Sequence, residues 1–283
     1  MDERPTISVL MSVYKKETGA HLDRSMNSIW TEQTLKPDAI VLVEDGPLTD
    51  ELYAVIGRWK KMLGDKLISA KNEVNKGLTA ALNLGLEFIT TDFVARMDSD
   101  DKSAPDRFYL QSKFLNEHPD IAVVSGTLVE FDSTNPCISE RHYPTDNIKQ
   151  YICKASPLAH AASMIRMSVF REGHLRYDPR YPLNEDIALW YDMLRMGYKL
   201  GNIDDIVYYV DCDGGMFERR SKEKAWPEFK VYMRGIKDLY GLFTYRYIYP
   251  ISRYIFRLMP ISVISKIYGS SVRKKFLTNN KCR

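Results

Sequence analysis

Short apolar runs alternate with segments of helical periodicity through the first half of the chain. The apolar runs are residues 7–13, 39–43, 67–70, 93–97 and 121–131. Such runs are typical of strands that are buried on both faces of a sheet. Between them apolar residues recur at helical spacing, most clearly at Leu78, Leu82, Leu86 and Ile89. This order predicts an α/β fold with a mostly parallel sheet and helices on both faces.

The second half of the chain is less regular. Asn184 is suited to cap a helix that contains Trp190 and Leu194, and Gly197 is suited to end it. A strand is predicted at residues 206–210 and a loop at residues 211–221. Beyond this loop the pattern is helical and rich in aromatic residues, so we expect residues 1–225 to form the α/β domain and residues 226–283 a helical tail.

The tail differs from the rest of the chain in its charge. Residues 239–283 contain nine Lys and Arg and no Asp or Glu, whereas the other residues contain 31 basic and 37 acidic side chains. A purely basic segment on an acidic body indicates an anionic partner, either a membrane surface or nucleic acid.

The composition of the tail favours the membrane surface. No run reaches the roughly 18 uncharged apolar residues that a bilayer-spanning helix needs. Basic residues interleaved with aromatic ones are typical of a segment lying on anionic lipid, although an amphipathic helix packed on the body would have the same pattern. No RNA- or DNA-binding module is visible, and no leader segment is recognised at the start. We therefore expect the tail to associate with a membrane surface and not with nucleic acid.

Acidic residues follow two of the predicted strands, Asp45 after one and Asp98, Asp100 and Asp101 after another. In open α/β sheets, ligands bind outside the carboxyl ends of the strands. An Asp-x-Asp turn supplies hard oxygen ligands for Mg²⁺ or Mn²⁺, and such a cation offsets the charge of a diphosphate. The alternative is a solvated acidic turn on the surface.

Missing motifs exclude other classes of nucleotide-binding protein. The absence of G-x-x-x-x-G-K-S/T excludes a P-loop, and the first strand is not followed by the G-x-G-x-x-G of dinucleotide-binding folds. The first strand also offers Ser12, Tyr14 and Lys15 rather than an Asp, which disfavours a phosphatase with an Asp nucleophile.

Two further segments lie at predicted helix starts. Lys76 and Gly77 precede a helix whose N-terminus favours phosphate, although a plain turn would have the same residues. Glu185 and Asp186 open a later helix, where acidic residues commonly complement the helix dipole. The same dipole would keep Asp186 ionised, as a general base requires.

Three more side chains leave both a structural and a functional interpretation open. His160 lies in an apolar neighbourhood, where a histidine is more often hydrogen-bonded than catalytic. Arg219 and Arg220 lie in the predicted loop, where they would either clamp a leaving diphosphate or remain solvated.

Six segments carry the strongest signal when they are taken together. They are SVLMSVY at 8–14, VEDG at 43–46, NKG at 75–77, RMDSDD at 96–101, PxR at 105–107 and NEDxxLW at 184–190. In this order and spacing they resemble the family 2 glycosyltransferases, which have the Rossmann-like GT-A fold, over about residues 5–215. Segments 10–17 and 43–52 are most similar to bacterial exopolysaccharide and O-antigen enzymes of the amylovoran-biosynthesis type.

The resemblance implies a binding site for a nucleotide sugar. Its residues would be Tyr14, Glu17, Asp45, Lys76, Gly77, Arg96, Asp98 and Ser99. Asp45 would hydrogen-bond the uracil ring, and Asp98 would contact the ribose side and contribute to the metal site. Asp100 would hold Mn²⁺ or Mg²⁺ on the diphosphate, while Arg219, Arg220 and His160 would contact the diphosphate or the acceptor.

The resemblance also implies the reaction. Asp186 would deprotonate the acceptor hydroxyl, with Glu185 in support, and a single displacement would convert an α-linked UDP-sugar into a β-linked product. The expected enzyme adds one hexose to a glycan on undecaprenyl diphosphate at the cytoplasmic face of the inner membrane.

Two other functions remain open at this point. A sugar nucleotidyltransferase would need a glycine-rich loop after the first strand, which residues 14–19 do not provide. A non-catalytic nucleotide-sugar-binding scaffold at the membrane would keep Asp45 and Asp98 but would not need Asp186.

Overall fold

The computed structural model describes residues 4–213 and 225–259 of the chain. The strands in these ranges are β1 Ile7–Val13, β2 Ala39–Asp45, β3 Leu67–Asn72, β4 Phe93–Asp98, β5 Lys102–Ser103, β6 Ile121–Phe131, β7 Ser139–Arg141, β8 Met164–Arg166 and β9 Lys199–Asp211. The helices are α1 Gly19–Ile29, α2 Asp50–Leu63, α3 Leu78–Leu86, α4 Arg107–Glu117, α5 Ile148–Tyr151, α6 Ser168–Arg171, α7 Glu185–Arg195, α8 Ala225–Tyr240 and α9 Ile248–Leu258.

The strands form a single mixed sheet. Across the described residues their order is β3-β2-β1-β4-β8-β6-β9-β5, and β7 pairs with β6. The first four strands along the chain are parallel to one another. Strand β8 runs antiparallel to its neighbours β4 and β6, whereas β6 and β9 are parallel. The α/β fold with helices on both faces is therefore confirmed, and the short antiparallel strands make the sheet mixed.

Successive residues of the central strands point into two different cores. Val9 and Met11 of β1 belong to a core that also contains apolar residues of α1, α2 and α4. Leu10, between them, belongs to a second core with residues of α3, α7 and α8. Because both faces are covered, both sets of alternate positions are apolar, which explains the continuous apolar runs in the sequence.

Strand β9 is longer than its sequence predicts. The predicted strand covered residues 206–210, but β9 begins at Lys199. Asp204 and Asp205 are exposed within the strand, and its register with β6 shifts nearby. The exposed acidic residues interrupt the apolar pattern, so the sequence showed only the second part of this strand. Most of the predicted loop at 211–221 lies outside the described residues.

Helix α8 packs against α7. Val231, Tyr232 and Ile236 are buried in the same core as residues of α7. At Gly235 the two helices approach so closely that an added Cβ would lie 2.2 Å from Cγ of Tyr191. The close packing of α8 on α7 therefore depends on the absence of a side chain at position 235.

We expect Gly235→Ala to lower the free energy of unfolding by about 1–3 kcal/mol, because the new methyl group overlaps the Tyr191 ring. Gly57 in α2 is a matched control, since an added Cβ there meets no atom within 4 Å. Gly57→Ala should instead raise the free energy of unfolding by about 0.5–1 kcal/mol through helix propensity. Chemical denaturation of both variants measures the difference, and a stabilising effect of Gly235→Ala would contradict the close packing.

Candidate active site

A cleft of about 430 Å³ lies where the carboxyl ends of several strands meet. Its titratable lining residues are Asp98, Asp100, Asp101, Arg141, Tyr143, His160 and Asp186. The end of β4 and the start of α7 thus bring together acidic residues that are almost 90 positions apart in the sequence. This is the place where open α/β sheets bind their ligands.

Three carboxylates after β4 form a group that could hold a metal ion. Asp98 is the last residue of β4, and Asp100 and Asp101 lie in the turn that follows it. One carboxylate oxygen of each lies within 4.8 Å of the others. Hard oxygen ligands at this spacing fit a divalent cation such as Mn²⁺ or Mg²⁺. Asp98 and Asp100 are the two residues predicted from the sequence to bind a metal ion, and the structure adds Asp101 to the group.

The crowding of these carboxylates disfavours their ionised forms. Burial by the surrounding protein raises the pKa of Asp100 to about 6, with further contributions from the charges of Asp98 and Glu17. The pKa of Asp101 is raised well above its usual value by burial and by the charges of Asp98 and Asp100. A bound divalent cation would supply the positive charge that this group of acids lacks.

Arg96 lies beneath the acidic group rather than in the cleft wall. Its side chain comes from the middle of β4, is 3% exposed, and forms an ion pair with Asp98. The positive charge of Arg96 also favours the ionised forms of Asp100 and Asp186. The predicted contact of Arg96 with a nucleotide sugar stays a prediction, whereas its contact with Asp98 is direct.

Asp45 holds the turn that starts α3. One oxygen, Oδ1, accepts a hydrogen bond from the backbone N–H of Lys76 at 2.9 Å, and the other, Oδ2, accepts one from Gly77 at 2.8 Å. Gly77 has a φ of +84°, which favours glycine at this helix start. These three predicted residues therefore form one unit at the carboxyl end of β2. Contacts of Asp45 with a base and of Lys76 and Gly77 with a nucleotide sugar stay predictions.

Glu17 connects the loop after β1 to the loop after β4. Its Oε2 accepts a hydrogen bond from the hydroxyl of Ser99 at 3.2 Å, while Oε1 lies 3.0 Å from Nδ1 of His21. Tyr14, three residues earlier, is exposed. The structure thus brings Glu17 and Ser99 together at the edge of the acidic group, where the resemblance places a nucleotide.

Asp186 reaches the cleft from the first turn of α7. It is half-buried, and burial followed by the charge of Glu185 raises its pKa to about 7. Glu185 itself is 6% exposed, and burial raises its pKa as well. Asn184 occupies the N-cap position as predicted, but its side chain makes no capping hydrogen bond. The predicted base therefore lines the cleft, and the predicted supporting residue lies behind it.

His160 lines the cleft as a neutral side chain. Its Nε2 lies 3.0 Å from the hydroxyl of Tyr177, and its ring meets Trp190 edge-on. Burial lowers the pKa of His160 well below its usual value, and the charge of Arg96 adds to this effect. An imidazole whose neutral form is favoured is suited to hydrogen bonding rather than to binding an anion. Arg219 and Arg220, predicted with it, lie outside the described residues.

Two cleft residues had no signal in the sequence. Arg141 ends the three-residue strand β7 and forms an ion pair with Glu130, and Tyr143 follows it. Tyr143 is close enough for the charge of Asp186 to contribute to its raised pKa, after burial as the main cause. Neither residue belongs to a motif or to a periodic segment, so only the folded chain brings them to the cleft.

Characterised and uncharacterised proteins match nearly the whole chain. The family model described as Glycosyl transferase family 2 matches residues 8–173. An uncharacterized glycosyltransferase of Haemophilus influenzae is 35% identical over 276 residues, covering 94% of this chain and 99% of its own. The amylovoran biosynthesis glycosyltransferase AmsE of Erwinia amylovora is 32% identical over 271 residues, covering 92% and 97%. The UDP-Gal:alpha-D-GlcNAc-diphosphoundecaprenol beta-1,3-galactosyltransferase of Escherichia coli is 32% identical over 278 residues, covering 96% and 98%.

Solved structures share the fold at lower identity. The mannosyltransferase PcManGT of Pyrobaculum calidifontis, in complex with GDP-Man and Mn²⁺, has a TM-score of 0.66 at 15% identity and covers 98% of this chain and 84% of its own. TarS 1–349 of S. aureus, in complex with UDP-GlcNAc, has a TM-score of 0.62 at 16% identity, covering 83% and 70%. The expected fold is confirmed by this likeness.

We expect Asp100→Asn to weaken the Mn²⁺-dependent binding of UDP by roughly tenfold or more, or about 1.4 kcal/mol, because the amide lacks the charge of the predicted metal ligand. Calorimetric titration with UDP in Mn²⁺ and in EDTA isolates the metal-dependent part. Asp205→Asn is the control, since Asp205 is an exposed carboxylate on β9 outside the acidic group. If the folded Asp100 variant and the wild type had equal Mn²⁺-dependent affinity for UDP, Asp100 would not be a ligand of the metal.

Proposed function

This chain belongs to glycosyl transferase family 2 and is a hexosyltransferase, and we propose that it is an inverting enzyme that depends on a divalent metal. In this proposal a hexose moves from a UDP-sugar to a sugar on undecaprenyl diphosphate, with a β-linkage, in the synthesis of a bacterial surface polysaccharide. One observation carries the proposal: a single cleft contains the carboxylates of Asp98 and Asp100 together with that of Asp186.

The donor would bind at the acidic group. Asp98 and Asp100 would hold Mn²⁺ or Mg²⁺, which when bound neutralises the diphosphate and favours departure of the nucleoside diphosphate. Glu17 and Ser99 would border the nucleotide from the neighbouring loops, and Asp45 would meet the base. The relative of Escherichia coli is named for a UDP-galactose donor, and the PcManGT complex contains Mn²⁺, which supports this assignment.

Asp186 would act on the acceptor. As the acceptor hydroxyl oxygen forms its bond to the anomeric carbon, the carboxylate of Asp186 takes the hydroxyl proton and the bond to the diphosphate breaks. The single displacement inverts the anomeric configuration. A base is most effective when its pKa lies near the working pH, and the pKa of Asp186, at about 7, meets this condition.

The acceptor would be a lipid-linked sugar at the membrane surface. The relative of Escherichia coli is named for a diphosphoundecaprenol-linked acceptor, and the relative of Erwinia amylovora for biosynthesis of an exopolysaccharide. None of the helices formed by residues 4–213 and 225–259 is long and apolar enough to cross a membrane. In this proposal the enzyme is a peripheral protein on the cytoplasmic face of the inner membrane, because the acceptor named for the relative of Escherichia coli is linked to a membrane lipid.

A panel of radiolabelled UDP-hexoses tests the proposed reaction directly. With Mn²⁺ and bacterial membranes as the source of acceptor, one donor should label the lipid extracted into organic solvent. EDTA should abolish the labelling. Labelling that is insensitive to EDTA would contradict the metal dependence, and the absence of lipid labelling with every donor would contradict the lipid-linked acceptor.

We expect Asp186→Asn to lower the rate of transfer by about 10²–10⁴-fold, because the amide cannot accept the acceptor proton. UDP binding in Mn²⁺ should be retained, since Asp186 is separate from the metal group. Glu185→Gln is the matched control at the adjacent position and should cost much less. Near-normal transfer by the Asp186 variant, or a complete loss in the Glu185 variant alone, would assign the proton transfer to another carboxylate.

The pH dependence of kcat/KM should have an acid limb near pH 7, where Asp186 becomes ionised. Below this pH the carboxyl group is protonated and cannot act as a base. Because the charge of Glu185 raises the pKa of Asp186, Glu185→Gln should shift the limb to lower pH. Values of kcat/KM measured from pH 5 to 9 for the wild type and for Glu185→Gln check the shift. An acid limb at the same pH in both proteins would mean that it does not report the ionisation of Asp186.

A further inference from the structure

Helix α9 exposes a row of aliphatic side chains to solvent. Ile248, Ile251, Ile255 and Leu258 recur at helical spacing along one side and are between 41% and 62% exposed. We refer to these four residues as the outer stripe. A surface helix ordinarily buries such a stripe against the core. Helix α9 departs from this pattern, because it leaves these four side chains largely in solvent.

The opposite side of α9 packs on α8 through aromatic and charged side chains, with the ring of Tyr254 5.0 Å from that of Phe229. Arg253 and Arg257 lie 3.1 and 2.8 Å from the carboxylate oxygens of Glu228. The guanidinium of Arg253 also lies over the ring of Tyr232, 4.7 Å from its centroid. These contacts fix which side of α9 faces the protein, and they leave the outer stripe in solvent.

The turn before α9 extends the exposed apolar surface. Leu242 and Phe243 are 64% and 100% exposed, and Tyr245 is exposed as well. The guanidinium of Arg246 lies between aromatic rings, 4.1 Å from the centroid of Tyr240 and 4.9 Å from that of Tyr245. Large apolar side chains gathered in one short segment of surface indicate an interaction site.

The charge of the segment selects the kind of partner. From residue 239 to the end of the chain the sequence has nine basic residues and no acidic one. Two of the nine, Arg253 and Arg257, pair with Glu228, and six belong to residues 260–283, which follow α9 directly in the sequence. A protein partner would need a matching acidic rim, whereas a bilayer of anionic phospholipid offers negative head groups directly above an apolar interior. Helix α9 has 11 residues, far fewer than the roughly 20 needed to span a bilayer, so it fits the plane of the interface.

We propose that the outer stripe, with Leu242 and Phe243, inserts into the surface of an anionic phospholipid bilayer while α8 holds α9 parallel to it. The inference rests on the proposed function in that a lipid-linked acceptor brings the enzyme to such a surface. It goes further by assigning the attachment to the outer stripe of α9 and not to the basic residues alone.

Vesicle flotation of the full-length protein tests the assignment without donor or acceptor. The test variant is the double substitution Ile251→Ser and Ile255→Ser, which removes apolar contact and leaves the charge unchanged. We expect it to reduce partitioning into phosphatidylglycerol-containing vesicles roughly tenfold or more. Met62→Ser is the matched control, because Met62 is an exposed apolar residue on α2 and 66% accessible. The control should float as the wild type does.

Three outcomes would overturn the proposal. If the double variant bound vesicles as well as the wild type does, the attachment would depend on the basic residues alone. A lower melting temperature of the variant without vesicles would mean that residues 260–283 cover the stripe. Dissociation of a wild-type dimer by the variant would mean that a second copy covers it. Transfer to a water-soluble acceptor analogue should be unchanged in the variant, so failure here and failure of the proposed function are distinguishable.

Discussion

The ion pair between buried Arg96 and Asp98 is the interaction on which the acidic cleft depends. Several carboxylates that share one cleft repel each other and resist burial, and a cation fixed beneath them opposes both effects. Arg96 is itself held from below, because the fully buried Arg107 donates a hydrogen bond to its backbone carbonyl at 2.8 Å. Two guanidinium groups thus lie in the core next to β4, and the carboxylates of the strand end lie above them.

The topology explains why distant segments reach the same cleft. Because β8 runs antiparallel to β4, its amino-terminal end lies at the carboxyl end of β4, which brings His160 to the cleft. Strands β6 and β9 run parallel to β4 again, so their carboxyl ends lie at the same edge and contribute Leu128 and Val210. The reversal at β8 therefore provides a wall for the cleft that a wholly parallel sheet would not have.

The sequence predicts the strand ends well, because each apolar run stops at polar residues such as Asp45 and Asp98. It does not predict that Arg96 is buried, since an arginine within a strand has the same pattern whether it meets a ligand or a carboxylate beneath it. Arg141 is also missed, because its strand has only three residues and no recognisable period. Local pattern therefore locates the edge of the sheet, whereas partners chosen by tertiary packing have no local signal.

The local sequence pattern of α9 also does not show which face of the helix contacts the protein. This orientation has a consequence for the proposed reaction. Amphipathicity predicts that one face of α9 differs from the other, but contacts with α8 decide which face points outward, since Glu228 pairs with the two arginines and Phe229 packs on Tyr254. Helix α8 packs on α7 at Gly235, and α7 begins with the residues that bring Asp186 to the cleft. The proposed lipid-binding face and the proposed base therefore belong to one packed series of three helices. An enzyme held by α9 would keep its base at a fixed position relative to the bilayer, which suits an acceptor that is itself anchored there.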